Sequence, residues 1–551
     1  MALEALLPTS FSTSYLWPSL LILIVLSPIF TLIYDITLWR SMPPGPRPLP
    51  FIGNKYQLPK SQPWHQFAAW GKEYGPIFTL WIGRRPTVVI SDPVVAAELM
   101  EKRSNKYSSR PRMVAMGELL WEGGSILVQP YGKAWTARRK LLHQALTPKA
   151  LRLYKPVQEA EAARLNAQLL DTPANFEKLI ERFTSSVVFC VAYGHRIDSL
   201  HAEVIRQRFE FMQYSASLNV PGKYMVETFP LLKHIPTILA PWKADIKAHG
   251  RREAAANMAL VDVVRNDMSR AAAAGKPSTV PDSLCKMLLE LRAQGTDIPL
   301  SDRDFSFIPA SLFGAGSDTT ASTLCTALLA LITHPAALHA AHAELDAVVG
   351  DARTPRFSDE PSLPYVRALV KETLRWRPVA VLGGTPHAST EDDVFDGRRI
   401  PAGTTVLANS WAINLNPDYY PDPHRFEPLR FHDDPRARPP ALGGAKAHPA
   451  KAGHSSFGWG RRICPGADLA ANSLFVALAK VLWAFDVLPA EGVVYDTFAY
   501  TDGFNIRPRK FECVIRARSE AHAAVVRREA VEAMEVLGRF EPFGEGGKGE
   551  A

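Results

Sequence analysis

The stretch from Phe457 to Gly466, with the sequence FGWGRRICPG, constrains this chain more than any other. Pro465 suits the first turn of a helix, and the apolar residues after it continue at helical spacing. Cys464 is therefore predicted at a helix N-terminus, where unpaired N–H groups favour a thiolate. The glycines would let the backbone approach a large flat ligand, and Arg462 could pair with a carboxylate on it. A thiolate, a close backbone and an anion-binding arginine suit an iron porphyrin, whereas an isolated cysteine is more often simply buried.

The same stretch resembles the cysteine-ligand signature of the cytochrome P450 family, Phe-x-x-Gly-x-Arg-x-Cys-x-Gly. The fixed positions are Phe457, Gly460, Arg462, Cys464 and Gly466. The resemblance implies a mainly α fold with small β-sheets, and haem b (iron protoporphyrin IX) as the cofactor. Cys464 would be the axial ligand of the iron, with Phe457, Arg462 and Gly466 around the cofactor.

Two further patterns concern the carboxylates of such a cofactor. Trp135 and Arg139 are four residues apart and so share a helix face. From spacing alone, a solvated basic helix with one buried tryptophan is the ordinary interpretation. The family's Trp-x-x-x-Arg motif implies instead that both side chains bind the haem propionates, with Arg138 and Lys140 on the side where a reductase docks. By the same resemblance His387 is a third propionate partner, and an ordinary turn histidine is the alternative.

A glycine and several polar residues interrupt an apolar helix between Ala315 and Thr320. Ser301 is predicted to cap this helix, and the hydroxyl of Thr319 could bond back to the carbonyl of Ala315 or Gly316. A site of close helix packing is the alternative, since a glycine inside a helix often has a packing reason. The match to the family's oxygen-binding motif implies that Asp318 and Thr319 deliver protons during the reduction of dioxygen.

Three more local patterns carry predictions. Alternating residues around Gly83 predict a β-hairpin. Glu372 and Arg375 lie one helical turn apart, which usually means a surface ion pair. The resemblance implies instead a buried structural triad with Arg430, and a turn at residues 501–504 that points an apolar side chain into the substrate pocket.

The N-terminus predicts a membrane anchor. No charged residue occurs between Glu4 and Asp35, and the twenty residues from Tyr15 to Tyr34 would span about 30 Å as a helix, the thickness of a bilayer core. A cleaved signal peptide is less consistent, because no Lys or Arg precedes the span and no small-residue cleavage site follows it. Basic residues after the span predict a single pass through the endoplasmic reticulum membrane, with the catalytic domain in the cytosol. The predicted segments are a membrane anchor at 1–40 (transmembrane helix about 15–34), a proline-rich hinge at 41–60, a haem-thiolate catalytic domain at 61–518 and a peripheral tail at 519–551.

Composition narrows the classes of partner. The net charge is +8, but no dense Lys/Arg tract indicates nucleic acid, so a basic face for an acidic protein or a membrane surface fits better. The five cysteines are odd in number and far apart, which favours a reducing compartment over a disulfide framework.

In detail the motifs resemble fungal secondary-metabolism members of the family. The resemblance implies a monooxygenase that inserts one oxygen atom from O2 into an apolar organic substrate, a secondary metabolite. Electrons would come from NADPH through a separate NADPH–cytochrome P450 reductase, with cytochrome b5 as a further candidate donor. Two alternatives stay open: a haem-thiolate isomerase or dehydratase that does not need O2, and a non-catalytic haem- or lipid-binding membrane protein.

Overall fold

A computed structural model describes residues 13–218, 223–275, 280–437, 442 and 445–543, with side chains from residue 26 onward. The described residues are mainly helical with small sheets, which confirms the predicted mainly α fold, while the predicted N-terminal transmembrane helix stays a prediction. The α-helices are α1 (Thr13–Ser41), α2 (Pro63–Tyr74), α3 (Pro93–Ala96), α4 (Ser104–Tyr107), α5 (Lys133–Gln144), α6 (Pro148–Asp171), α7 (Phe176–Tyr193), α8 (Glu203–Leu218), α9 (Met225–Thr228), α10 (Pro241–Ala273), α11 (Leu284–Ala293), α12 (Asp302–Thr333), α13 (Pro335–Val348), α14 (Pro364–Trp376), α15 (Ser410–Asn414), α16 (Ala467–Ala484) and α17 (Glu520–Leu537).

The strands form small sheets. A four-stranded sheet has the order β1-β2-β6-β3, in which β1 and β2 are the predicted antiparallel hairpin and β6 joins β2 in parallel. Gly83 has a φ of 60°, a conformation that favours glycine, and so allows the tight turn between β1 and β2. The strands are β1 (Ile77–Ile82), β2 (Arg85–Ile90), β3 (His387–Ala388), β4 (Asp393–Phe395), β5 (Arg398–Ile400), β6 (Thr405–Ala408), β7 (Phe485–Pro489) and β8 (Cys513–Ala517).

Two long apolar helices, α12 and α16, form the centre of the core. Both are apolar on most of their circumference because α6, α7 and α14 surround them. Within the part of the chain that the structure describes, one helix is long and apolar enough to cross a membrane, and it is α16. Of its residues, 72% are buried inside the protein, so α16 is a core helix.

The segment after α1 lies against the sheet. Asp35 forms an ion pair with Arg84 at 2.7 Å, which holds the end of α1 to the β1–β2 hairpin. The Thr79 N–H donates to the carbonyl of Pro44 at 2.9 Å, and Asn54 is fully buried. Residues 42–54 are therefore attached to the catalytic domain by backbone hydrogen bonds.

The prediction of a peripheral C-terminal tail needs correction for residues 520–543. Helix α17 packs on α6 and buries Val526, Ala533 and Leu537. Its buried Glu529 accepts a hydrogen bond from the Thr354 N–H at 2.9 Å. The other charged residues, which suggested a solvated tail, lie mostly on the opposite face of the helix, so the apolar face is free to join the core. Residues 544–551 lie outside the described residues.

Candidate active site

One large cavity lies between α12 and the cysteine stretch. Its volume is about 1390 Å³, and Cys464, Trp135, Arg462, His387, Asp318 and Thr319 all line it. Ligand pockets typically measure about 300–1,000 Å³, so this cavity has room for a flat cofactor together with a substrate. The structure thus brings together the residues that the sequence singled out at widely separated positions.

The cysteine is presented by a tight loop. The Cys464 N–H donates to the carbonyl of Phe457 at 2.8 Å, which closes the loop over a short 3-10 turn, Gly460–Arg462. Gly460 has a φ of 57°, and a Cβ there would lie 2.0 Å from the carbonyl oxygen of Met100. Only glycine can hold the loop this close to its neighbour, which explains the residue at that position.

The electrostatics of Cys464 differ from the prediction. Burial raises the pKa of its thiol, and the Gly466 N–H and Arg139 lower it only in part. Helix α16 begins at Ala467, and the N-terminal effect that favours a thiolate does not outweigh desolvation. A thiol that coordinates a metal ion loses its proton, so a bound iron would supply the stabilisation that the surroundings of Cys464 do not.

Three arginines surround the cavity near the cysteine. The guanidinium of Arg462 lies 4.2 Å from the ring centre of Trp135 and donates to the carbonyl of Ser108 at 2.8 Å. Arg139 donates to the carbonyl of Ile463 at 2.5 Å. Trp135 and Arg139 therefore both lie against the cysteine loop, and the propionate contacts that the motif implies for them stay a prediction.

Arg110 is a third member of this cluster that the sequence did not reveal. It is 9% exposed and donates to the carbonyl of Thr385 at 2.6 Å. Burial, followed by the neighbouring Arg462, lowers the pKa of Arg110 to about 9. It lies in an irregular segment without periodicity, so no local signal could have identified it.

The arginine cluster tests whether the residues fit haem. Among the described residues, none of Arg110, Arg139 and Arg462 forms an ion pair with an acidic side chain. Arg110 is buried and the other two are half-buried, and positive charge held away from water without a partner is costly. The two propionates of haem would balance it, so the donor set fits this cofactor.

His387 is not a surface turn histidine. It lies on β3, is 5% exposed, and its Nδ1–H donates to the carbonyl of Tyr107 at 2.8 Å. Burial, and then the charge of Arg110, lower the pKa of His387 to about 3, so the imidazole is neutral. Its Nε2 then has no proton to donate, and its contact with a propionate stays a prediction.

The role predicted for Arg138 is wrong. Arg138 is 5% exposed and forms an ion pair with Asp304 of α12 at 2.8 Å. Trp135, Arg138 and Leu142 share the buried face of α5, because residues three and four apart on a helix point the same way. Only Lys140 of the two neighbours is exposed.

Helix α12 forms the other wall of the cavity. The Asp304 N–H donates to the Ser301 hydroxyl at 3.1 Å, which confirms the predicted cap. The Thr319 hydroxyl donates to the carbonyl of Ala315 at 2.7 Å, also as predicted, although the helix runs unbroken from Asp302 to Thr333. A Cβ on Gly316 would lie 2.8 Å from Val188, so close helix packing explains this glycine.

Asp318 faces charged residues that sequence reasoning missed. Burial raises the pKa of Asp318, while Arg507 and a hydrogen bond from Asn505 lower it and Glu181 raises it. Arg507 also donates to Glu181 at 2.6 Å. Because these residues lie far apart in the chain, no spacing could have indicated the network.

The predicted turn before Arg507 is present. The Thr501 N–H donates to the carbonyl of Arg507 at 2.9 Å, and the Arg507 N–H donates to the Thr501 hydroxyl at 3.1 Å. Phe504 at the tip lines the cavity, which confirms an apolar side chain at this place.

The buried triad is also present. Glu372 accepts hydrogen bonds from Arg375 at 2.6 and 2.7 Å, and the Nε of Arg430 lies 3.4 Å from the same carboxylate. Glu372 and Arg375 are both 0% exposed, so this is not a surface pair. The same helix is tied to the cysteine loop, because the Ser456 hydroxyl donates to the carbonyl of Leu374 at 2.6 Å.

Comparisons with known proteins agree with this geometry. A family model described as Cytochrome P450 matches residues 43–514. Cytochrome P450 monooxygenase 58 of Postia placenta is 37% identical, over 88% of this chain and 90% of the relative. Two others are 34% identical: cytochrome P450 monooxygenase patI of Penicillium expansum, over 91% of this chain and 93% of the relative, and verL of Clonostachys rogersoniana, over 90% of each.

Residues of the cysteine loop, the three arginines and helix α12 line one cavity. These relatives match 88–91% of the chain that contains it. The chain therefore belongs to the cytochrome P450 family, as a monooxygenase whose haem iron is held by a cysteine thiolate.

Proposed function

We propose that this enzyme inserts one oxygen atom from O2 into an apolar organic substrate, a fungal secondary metabolite, with electrons from NADPH. The observation that carries the proposal is that Cys464 and the Asp318–Thr319 pair line one cavity. Met116, Phe307 and Phe504 supply apolar surface in the same cavity, which suits an apolar substrate.

The proposed roles of the protein residues follow from their contacts. Haem supplies the redox chemistry that activates dioxygen when it is bound. Cys464 holds the iron, while Trp135, Arg139 and Arg462 hold the propionates and Arg110 adds a further positive charge. These cations fix the orientation of the cofactor, because charge-assisted hydrogen bonds are short and directional.

Helix α12, across the cavity from the cysteine loop, is proposed to deliver protons. Asp318 and Thr319 are adjacent in the helix and so do not share a face, which calls for an ordered water between them. Burial raises the pKa of Asp318, and Arg507 and Asn505 act against that rise. Asp318 can then take a proton from outside and pass it on, and the Thr319 hydroxyl can both donate and accept.

This pair favours a monooxygenase over an isomerase or dehydratase, which would rearrange its substrate without reducing dioxygen. The test is turnover by the full chain with reductase under ¹⁸O2. Metabolite extracts from a host strain that lacks the gene serve as the substrate source. We expect an NADPH-dependent product that contains one ¹⁸O atom. A product that forms without NADPH, or without the label, would favour the alternative reactions.

We also propose that α1 anchors the enzyme in the endoplasmic reticulum membrane, with the catalytic domain in the cytosol. Helix α1 leaves large apolar side chains exposed, and an uncovered patch of this kind is a membrane or protein contact site. These side chains are 42–66% exposed: Leu26, Ile29, Phe30, Ile33 and Tyr34. Arg40 and Arg47 follow the span and favour the cytosolic side. Protease digestion of sealed microsomes should therefore degrade the catalytic domain, and its protection would contradict this topology.

A separate electron donor completes the proposal. Three exposed basic residues lie on α5, which Arg139 joins to the cysteine loop, and on that loop itself: Lys133, Lys140 and Arg461. They suit a partner with an acidic surface, the NADPH–cytochrome P450 reductase, with cytochrome b5 as a second candidate. Exchanging Lys140 for glutamate should slow haem reduction at low salt, and the difference should shrink as salt screens the charges.

A further inference from the structure

Outside the cavity, three potential metal ligands converge from distant parts of the chain. His195 follows α7, Asp267 lies on α10, and Glu541 lies in the segment after α17. One ligand atom from each residue lies within 4.8 Å of the others. The family model ends at residue 514, so Glu541 belongs to a part of the chain beyond the matched region.

The hydrogen bond of one His195 nitrogen leaves the other nitrogen available for a ligand. His195 is 4% exposed, and its Nδ1 lies 3.0 Å from the carbonyl of Tyr193. Since a carbonyl can only accept, Nδ1 donates this hydrogen bond, and Nε2 is the ring nitrogen left for another partner. That nitrogen faces Asp267. Metal-binding histidines show this arrangement, in which a backbone carbonyl holds the N–H opposite the metal.

The distance between the two groups favours a cation between them. The Nε2 of His195 lies 3.5 Å from Oδ2 of Asp267. A direct hydrogen bond between an imidazolium and a carboxylate is shorter, about 2.7–2.9 Å. Two ligands about 2.0–2.2 Å from one tetrahedral zinc ion lie about 3.3–3.5 Å apart.

The net charge of the cluster favours a divalent cation. The other oxygen of Asp267 is paired with the exposed Arg270. Glu541 forms no ion pair among the described residues, and its exposed side chain is free to turn toward the other two. The two carboxylates and one arginine leave the site with a net negative charge, which a divalent cation would reverse.

Backbone hydrogen bonds hold the third ligand in place. The Arg196 N–H donates to the carbonyl of Glu541 at 3.1 Å, and the Phe543 N–H donates to the carbonyl of Arg196 at 3.0 Å. The Arg196 side chain donates to the carbonyl of Phe540 at 2.6 Å. The loop that carries His195 and the segment that carries Glu541 are therefore joined by hydrogen bonds that do not depend on an ion.

We propose that His195, Asp267 and Glu541 bind a divalent transition-metal ion with the ligand preference of zinc, with water as the fourth ligand. The ion fastens the C-terminal segment to α10. Imidazole and carboxylate are ordinary zinc ligands, and three protein ligands with one open position are a known zinc arrangement.

The test uses the full chain with its haem and without an affinity tag, equilibrated with zinc chloride and then desalted. The zinc-to-iron ratio is measured by mass spectrometry, and the affinity by competition with a zinc chelator. Glu541→Gln and His195→Gln remove one ligand each, and Asp262→Asn, another exposed carboxylate of α10, is the matched control. The carbon monoxide difference spectrum checks that each variant is folded.

We expect zinc to bind the native chain and Asp262→Asn with equal affinity, and to raise the melting temperature of both. Because loss of even an outer-shell partner weakens metal sites by about 10- to 100-fold, each ligand variant should bind at least about 100-fold more weakly. Equal zinc uptake by all four proteins would mean adventitious surface binding and would overturn the proposal. So would the absence of zinc from the native chain, since the cluster would then be a simple ion pair.

Discussion

Replacement of Thr319 by alanine tests most directly whether α12 delivers protons to the active site. The Thr319 hydroxyl lines the cavity and donates to the carbonyl of Ala315 at 2.7 Å. The substitution removes this hydroxyl and leaves the helix backbone, Asp318 and the cysteine loop in place. We expect it to separate the consumption of NADPH from the formation of product.

The structure sets the size of the effect. A back-bonded hydroxyl contributes little to a helix, and alanine has the higher helix propensity, so stability should change by less than about 1 kcal/mol. A positioned general acid contributes about 10²- to 10⁴-fold to a proton transfer, and water admitted to the site would recover part of this. Product formed per NADPH should therefore fall at least about tenfold, which corresponds to about 1.4 kcal/mol.

The assay measures product, NADPH consumed and hydrogen peroxide in parallel. Thr323 is the matched control, because its hydroxyl also donates to a carbonyl four residues earlier, that of Thr319 at 2.9 Å, and it also lines the cavity. Thr323→Ala should keep its coupling, and Thr319→Ser should largely restore it. Thr319→Ala should instead release the missing electrons as peroxide. Full coupling in Thr319→Ala, or equal losses in both alanine variants, would remove Thr319 from the mechanism.

Three further outcomes follow from the site. Cys464→Ala should abolish the thiolate-type carbon monoxide spectrum and all turnover, because Cys464 is the cavity's cysteine. Glu372→Gln should destabilise the fold by about 3–5 kcal/mol, since it leaves buried guanidinium groups without their carboxylate. Glu98→Gln, which removes the partly exposed carboxylate shared by Lys102 and Arg103, should cost much less stability in the same denaturation assay. Arg507→Gln removes a cation that lowers the pKa of Asp318, so that pKa should rise and the acid limb of the coupling–pH profile should move to higher pH.

Each of these outcomes has a result that would contradict it. A thiolate-type spectrum in folded Cys464→Ala would transfer the ligand role to another residue. Equal stability losses for the two glutamate variants would mean that burial of the triad has no energetic consequence. A pH profile that stays in place, or moves to lower pH, would separate Arg507 from the proton relay.

The sequence by itself determined the features that depend on residues close together in the chain. The loop around Cys464, the hairpin around Gly83, the Ser301 cap and the back-bond of Thr319 each involve at most a few turns of backbone. Their geometry follows from local conformational preference and hydrogen bonding, and the structure contains all four.

Only the tertiary structure decided which groups are desolvated and which distant groups meet. Arg138 belongs to a basic run, yet it packs inward against Asp304. Arg110 lies within electrostatic range of Arg462 in the cysteine loop, and Arg507 within range of Asp318, although no spacing along the chain encodes either pair. Burial likewise raises the pKa of the Cys464 thiol against the local preference of a helix N-terminus. The physical reason is the same in each case: desolvation and charge–charge interactions depend on three-dimensional surroundings, whereas caps, turns and back-bonds depend on neighbours along the chain.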